Sequence, residues 1–317
     1  MRFVIALLLC LLPAAVAAQT FPTKPLRLIL RAPPGGTDDL IGRLISLKMG
    51  EILGQSVIVD YRTGAGGLVA WQYVAQAAPD GYTFLLAASG LGAIKTLRPD
   101  ATIDPWRDFA WISQVVNYQL VMLVHPSVPA KTTAELIALA RSRPGQMSYG
   151  STGIGATPHL AAEYFKAMAK VDITHVPYKG AAPMYIDILG GRLEMGFAVI
   201  GGALPHITSG KLRALGVSGA KRVPQAPQVP TIAEGGVRGY DLTAFYALLA
   251  PGKTPRDIVG RLADATAKVV ASPEYRDRIV SGGMEPISNT PEQMLELAKQ
   301  DGAKIDRIVR TANIKIE

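Results

Sequence analysis

Cysteine is almost absent from this chain, because Cys10 is the only one among 317 residues. Cys10 lies inside an N-terminal apolar stretch that has the features of an export signal. A mature chain would then contain no cysteine, so disulfides are excluded and stability has to come from packing. A chain of nearly 300 mature residues can bury enough apolar surface for that, most naturally as two domains.

Recognisable catalytic motifs are also lacking. None of the four histidines, His125, His159, His175 and His206, shows metalloprotease spacing. Ser89 and Ser151 lack the Gly-x-Ser-x-Gly elbow of hydrolases. The glycines of 64–67 and 150–155 do not fit the dinucleotide fingerprint, and there is no phosphate-binding loop. We therefore expect no enzyme, no cofactor and no metal site, and we interpret His159 as a packed or capping residue.

Charge and aromatic residues are sparse and dispersed. Aromatic residues make up 7% of the chain, and its formal net charge is +8. The basic residues near the start are scattered rather than clustered, namely Lys24, Arg27, Arg31, Arg43 and Lys48. This distribution argues against a nucleic-acid partner, although a positive field would help to collect anions.

The N-terminus has the order of a secretory signal. Arg2 precedes an apolar stretch over residues 3–12, and small residues follow up to Ala18. The stretch is too short to span a bilayer, and no later segment is long and apolar enough to do so. We predict that residues 1–18 are a signal peptide cut after Ala18, with Ala17 as the second choice, and that the mature protein is periplasmic.

The rest of the chain alternates between apolar strand-like runs and glycine-rich starts of helices. The junctions lie at 33–39, 64–67, 89–90, 151–157 and 178–183. This alternation predicts parallel sheets with helices on both faces. The run over residues 109–124 is unusually long for one strand, so we expect it to cross from one sheet to a second. Residues 240–249 have a similar composition and are the candidate for the return.

These junctions predict an anion site made of main chain. Ligands of such sheets collect at the carboxyl ends of strands, where the starts of helices present unpaired N–H groups and partial positive charge. Small residues at these starts let a ligand approach the backbone closely. Each junction alone is weak evidence, because Gly and Thr also serve as turn and cap residues. Several of them in one exported chain favour binding.

As a set, the motifs resemble the solute-binding component of tripartite tricarboxylate transporters, the Bug family. The resemblance runs through the whole mature chain in order. The motifs that carry it include Pro33-Pro34-Gly35-Gly36-x-x-Asp39, Gly64-Ala65-Gly66-Gly67, Tyr149-Gly150-Ser151-x-Gly153-x-Gly155, Val176-Pro177-Tyr178-Lys179-Gly180 and Val229-Pro230-Thr231.

The resemblance implies an α/β fold of the two-lobed type II periplasmic-binding-protein class. Each lobe would be a mostly parallel sheet flanked by helices, with the ligand in the cleft between the lobes. We expect residues 19–121 and 241–317 to form lobe 1 and residues 122–240 to form lobe 2. The implied function is capture of a small di- or tricarboxylate or aromatic acid, by a monomer, for integral-membrane transporter subunits. The alternatives are a ligand-sensing accessory of a periplasmic signalling system and, less favoured, an enzyme built on the same lobes.

The resemblance also implies that the ligand carboxylate is held largely by main-chain groups and ordered waters. The residues predicted to line the site are Pro34, Gly35, Gly36, Thr37, Asp38, Ala65, Gly66, Ser89, Ser151, Thr152, Thr157, Lys179, Gly180, Ala181 and Ala198. Three positions depart from the family pattern, namely Asp38, Thr63 and Ala198.

These departures bear on the chemistry of the ligand. Ala198 stands where an aspartate is common, so a carboxylate that could pair with a ligand ammonium group is missing, and amino acids should be disfavoured. Lys179 is the first candidate to meet a second carboxylate, with Arg31 as the weaker one. An Asp38 carboxylate that points inward would repel an anion, whereas one that points outward would be accommodated by the helix dipole. The sequence does not decide between these two orientations.

Overall fold

The computed structural model describes residues 21–312 and residue 314, so the predicted signal peptide lies outside the described part. The strands are β1 (Leu26–Leu30), β2 (Val57–Tyr61), β3 (Thr83–Ala88), β4 (Phe109–Tyr118), β5 (Leu120–Val124), β6 (Ser148–Ser151), β7 (Thr174–Pro177), β8 (Met195–Val199), β9 (Arg213–Val217), β10 (Ala244–Pro251) and β11 (Glu285–Pro286).

The helices alternate with these strands over most of the chain. They are α1 (Thr37–Leu53), α2 (Leu68–Ala75), α3 (Ile94–Leu97), α4 (Thr133–Ser142), α5 (Thr157–Ala169), α6 (Ala181–Leu189), α7 (Ile200–Thr208), α8 (Arg256–Ala271), α9 (Pro273–Ser281) and α10 (Pro291–Thr311). None of the helices within residues 21–312 is long and apolar enough to cross a membrane.

The strands form two mixed sheets. The first has the order β11-β4-β10-β3-β1-β2 and the second the order β7-β6-β8-β5-β9. Strands β1, β2 and β3 pair in parallel, as do β6, β7 and β8. The antiparallel pairs are β10 with β3 and β4, β11 with β4, and β5 with β8 and β9. The prediction of sheets flanked by helices is thus confirmed, but the sheets are mixed rather than mostly parallel, because the strands at which the chain changes sheet pair antiparallel.

The chain crosses between the sheets twice. After β4 in the first sheet it continues directly through Gln119 into β5 in the second, which confirms the predicted crossover at 109–124. It returns after β9, and β10 re-enters the first sheet at Ala244. The predicted lobe boundaries, near residues 121 and 240, lie close to these crossings and stay a prediction.

Packing of α1 on β1 fixes the position of the first helix start. Ile41 and Ile45 recur at helical spacing on α1 and are fully buried with Leu30 of β1. A Cβ at Gly42 would lie 2.7 Å from Leu30 Cδ1, so any larger residue would force the buried side chain of Leu30 to shift. The N-terminal turn of α1 is thereby held at the carboxyl end of β1, where its N–H groups lack intrahelical acceptors.

Candidate ligand-binding cleft

The loop before α1 is a rigid turn that leaves its main chain accessible. Gly35 adopts φ +90°, which favours glycine, and its N–H donates to Asp39 Oδ2 at 2.9 Å. The other carboxylate oxygen of Asp39 accepts from Arg43 Nε at 2.7 Å and from the hydroxyl of Tyr61. Burial opposes ionisation of Asp39, but these donors outweigh it and lower its pKa. A Cβ added at Gly36 would meet no heavy atom within 4 Å, so a ligand can approach the backbone here.

The loop before α2 meets the second half of the molecule. Residues 64–67 all have positive φ, including Ala65 at +47°, so the chain makes a tight left-handed turn into α2. A Cβ at Gly66 would lie 3.3 Å from the carbonyl oxygen of Ile154, which belongs to the loop between β6 and α5. The predicted loops of the two sheets therefore face each other in close contact.

The second-sheet side of the cleft is built from the loops that follow β6 and β7. Ser151 Oγ accepts from the N–H of Gly153 at 3.2 Å and bonds His175 Nε2 at 2.7 Å. A Cβ at Gly153 would lie 3.6 Å from the carbonyl oxygen of Tyr178, so the 151–157 and 178–181 loops are neighbours. The N–H of Gly155 donates to the ring of His159 at 3.2 Å, which confirms that His159 is a packed and capping residue.

The Ser151–His175 pair resembles the start of a nucleophile–base dyad, but its surroundings argue otherwise. Ser151 is fully buried, and His175 is stacked between the rings of Tyr149 and His159. Burial, with the neighbouring His159 as the second cause, lowers the pKa of His175 to about 4. The pair therefore holds the loop in place, and the side chain of Ser151, a predicted site residue, is not on the surface of the cleft.

A buried polar cluster links the first helix start to the second sheet. Asp38 is 5% exposed, and its Oδ1 accepts from the hydroxyl of Tyr246 at 2.8 Å. Its Oδ2 lies 3.2 Å from Nε of Arg31, the residue that follows β1. The ring of Tyr246 stacks on Tyr118, whose hydroxyl lies 3.1 Å from Thr157 Oγ1 at the start of α5. Asp38 therefore points inward and is neutralised by Arg31, which removes the repulsion that an inward carboxylate would exert on an anion.

A second buried carboxylate lies beside this cluster. Asp301 of α10 accepts from the N–H of Gly90 at 3.0 Å, at the carboxyl end of β3. Burial raises the pKa of Asp301 to about 6, against the opposing effects of the Gly90 N–H and Lys304. The neighbouring Ser89, a predicted site residue, exchanges two hydrogen bonds with the main chain of Phe245 in β10. Ser89 thus belongs to the junction between β3 and the return strand.

The remaining predicted residues differ in their surroundings. Lys179 is exposed and has no ion-pair partner among residues 21–312 and 314, whereas Gly180 caps α6 with open space beside its Cα. Ala181 and Thr152 are half-buried in the same two loops, and Pro34 is exposed beside Gly35. Ala198 is 2% exposed and packs in an apolar cluster of the second sheet with Val121 and Leu123.

Sequence reasoning did not identify Tyr118, Tyr246 and Asp301 as parts of this region. Each of these residues lies in a segment whose pattern is that of an ordinary strand or helix. Each joins the cleft through a contact with a residue far away in the sequence. The separation is 208 residues for Asp38 and Tyr246 and 211 for Gly90 and Asp301. No local pattern could have indicated these contacts. Among the residues described, no cluster of His, Cys, Asp and Glu could hold a metal ion.

Comparison with known proteins connects this geometry to a family. Residues 41–314 match the model of the tripartite tricarboxylate transporter family receptor. The chain is 31% identical to Protein BugT of Bordetella pertussis over 306 residues, covering 96% of this chain and 94% of that protein.

Solved structures agree with the match. The structure of R. palustris Rpa4515 with adipate has a TM-score of 0.87 and 35% identity, covering 93% of this chain and 99% of that one. MatC from Rhodopseudomonas palustris with bound malate has a TM-score of 0.84 and 27% identity, covering 91% and 100%. The predicted two-lobed binding-protein fold is confirmed, and the chain belongs to the tripartite tricarboxylate transporter receptor family.

Proposed function

We propose that this receptor captures a small carboxylate without an amino group between its two sheets. The observation that carries the proposal is the convergence of two helix starts from each sheet, those of α1 and α2 and those of α5 and α6. Their unpaired N–H groups supply donors and partial positive charge for a carboxylate. Relatives of this fold have been solved with adipate and with malate, which are both acids without an amine.

The carboxylates near the first helix start argue against an amino acid as the ligand. Asp38 is engaged by Arg31 and Tyr246, and Asp39 by the Gly35 N–H, Arg43 and Tyr61. Neither is free to pair with a ligand ammonium group. Burying that group without a counter-charge is costly, so the cleft should reject amino acids.

The wider role follows from the family. We propose that residues 1–18 direct export and are removed, and that the periplasmic monomer delivers its ligand to integral-membrane transporter subunits. The lobes would be residues 19–121 with 241–317, and residues 122–240. Closure around the ligand would bring the lobes together about the two crossings, because the bound acid contacts both sides.

A ligand panel tests the proposed function. The mature protein should be stabilised by adipate, malate or an aromatic acid such as benzoate, and not by aspartate or glutamate. At a ligand concentration of about 100 times Kd, binding adds about 2.7 kcal/mol to the free energy of unfolding. Thermal shift detects the stabilisation by each acid, and calorimetry then measures Kd. Tight binding of an amino acid, or no response to any acid, would contradict the proposal.

A further inference from the structure

Arg31 is a cation in the cleft whose charge is only partly neutralised by neighbouring protein groups. It follows β1 directly, and its Cδ would lie 3.0 Å from a Cβ at Gly67, so its side chain runs beneath the start of α2. Nε is buried and faces Asp38 Oδ2 at 3.2 Å, at an angle too bent for a hydrogen bond. The side chain as a whole is 15% exposed.

The terminal nitrogens of Arg31 are the part that remains available. Among residues 21–312 and 314, Asp38 lies against Nε and the hydroxyl of Tyr246 is within hydrogen-bonding reach of the guanidinium. Only Nε of the three nitrogens is sealed from solvent without a partner. A guanidinium presents five N–H donors in a fixed fork that matches the two oxygens of a carboxylate. Asp38 lies against the Nε edge of this fork, and the terminal nitrogens are not sealed from solvent.

The surroundings keep Arg31 charged and hold it still. Burial alone would lower the pKa of Arg31, but Asp38, Tyr246 and Tyr118 together raise it above its ordinary value. The same groups restrict the side chain, so little rotamer entropy remains to be lost when a ligand binds. Lys179 lacks this support, because it is exposed and has no ion-pair partner among the residues described.

We propose that Arg31 is the specificity-determining residue for a second acidic group of the ligand. The first carboxylate would lie against the starts of the helices, and the second would accept from the open side of the Arg31 fork. Asp38 sets the strength of this contact, because it neutralises part of the charge that the ligand meets. The proposal rests on the proposed function and reverses the ranking of Lys179 and Arg31 that the sequence suggested.

Matched pairs of acids test the role of Arg31. Adipate and hexanoate have the same chain length but two and one carboxylates, as do succinate and butyrate. The readout is the ratio of Kd for the monoacid to Kd for the diacid, measured by calorimetry. A hydrogen bond to a charged group corresponds to about tenfold to hundredfold in affinity, and we expect a ratio in this range for the parent protein.

Two variants of the Arg31–Asp38 ion pair separate recognition of the ligand from structural support. Asp38→Asn keeps an acceptor for Tyr246 and removes the competing charge, so the ratio should rise several-fold. Arg31→Met with Asp38→Asn removes both charges together and avoids leaving a buried aspartate unpaired, and the ratio should fall to near one. The control is the exposed ion pair Arg222–Glu234, whose Arg222→Met/Glu234→Gln variant should keep the parent ratio.

The outcomes distinguish the two proposals. If acids bind but the Arg31→Met/Asp38→Asn protein keeps the parent ratio, or Asp38→Asn lowers it, Arg31 does not read the ligand and only this inference fails. If no acid of either pair binds the parent protein, the proposed function fails and the inference with it. A collapse of the ratio in the Lys179→Met protein would assign the second carboxylate to Lys179 and overturn the inference.

Discussion

Replacing Gly36 with valine is expected to abolish carboxylate binding, with a loss of affinity above about a hundredfold, while the fold stays intact. Gly36 has φ −96° and ψ −174°, a conformation open to any residue, and an added Cβ meets no heavy atom within 4 Å. The branched side chain would instead fill the space through which a ligand reaches the N–H groups of Thr37 and Asp38. Calorimetry with the best acid of the panel measures the affinity, and circular dichroism measures the melting temperature.

The matched control is Gly260→Val on α8, where an added Cβ also meets nothing within 4 Å. Both variants should melt close to the parent protein, but only the Gly36 variant should lose the ligand. Gly35 is a poorer choice for this test, because its φ of +90° would make a valine strain the backbone. Parental affinity in the Gly36→Val protein would show that the start of α1 is not part of the site.

Replacing Asp301 with asparagine is expected to stabilise the protein at pH 7.5 and to have little effect near pH 4. Burial raises the pKa of Asp301 from 3.8 to about 6, so the folded state binds this proton more tightly than the unfolded state does. The stability that this group contributes is present below pH 3.8 and is lost as the pH rises through 6. Since each pKa unit corresponds to about 1.4 kcal/mol, ionised Asp301 destabilises the fold by up to about 3 kcal/mol at pH 7.5.

The asparagine variant removes that ionisation and keeps an oxygen to accept from the N–H of Gly90. Urea unfolding at both pH values measures the difference, and other carboxylates cancel because both proteins contain them. Asp277→Asn, at an exposed position of α9, is the control and should change stability little at either pH. An equal gain at both pH values, or none at pH 7.5, would mean that burial of Asp301 does not disfavour its charge.

The sequence predicted the parts of the fold that local patterns encode. Strand runs that end at glycine-rich helix starts specified the two sheets, and the unusual length of 109–124 specified the first crossing. Helix α8 shows such a pattern, because buried apolar residues such as Leu262 and Val269 recur in it at helical spacing. The antiparallel pairing of β4 with β10 and of β5 with β8 depends on which strands become neighbours, and no single segment carries that information.

For the candidate site, the sequence predicted the loops but not the arrangement of the charged residues. Gly36, Gly66 and Gly180 could be found from turn chemistry alone. The inward orientation of Asp38 could not, because it depends on Tyr246 in a strand 208 residues away and on the packing of Arg31 under α2. The same limit applies to Asp301, which looks like any acidic residue on the polar face of a helix until α10 packs against the turn that follows β3 and against β4.

The position of a bound acid in a crystal structure tests the central claim most directly. Crystals should be grown with the acid of the panel that binds most tightly, adipate included. The account predicts one carboxylate within hydrogen-bond distance of N–H groups at the starts of α1 and α5, between the two sheets, with no free aspartate or glutamate against the ligand. A ligand bound outside this cleft, or one whose carboxylates face only side-chain cations on the surface, would contradict it.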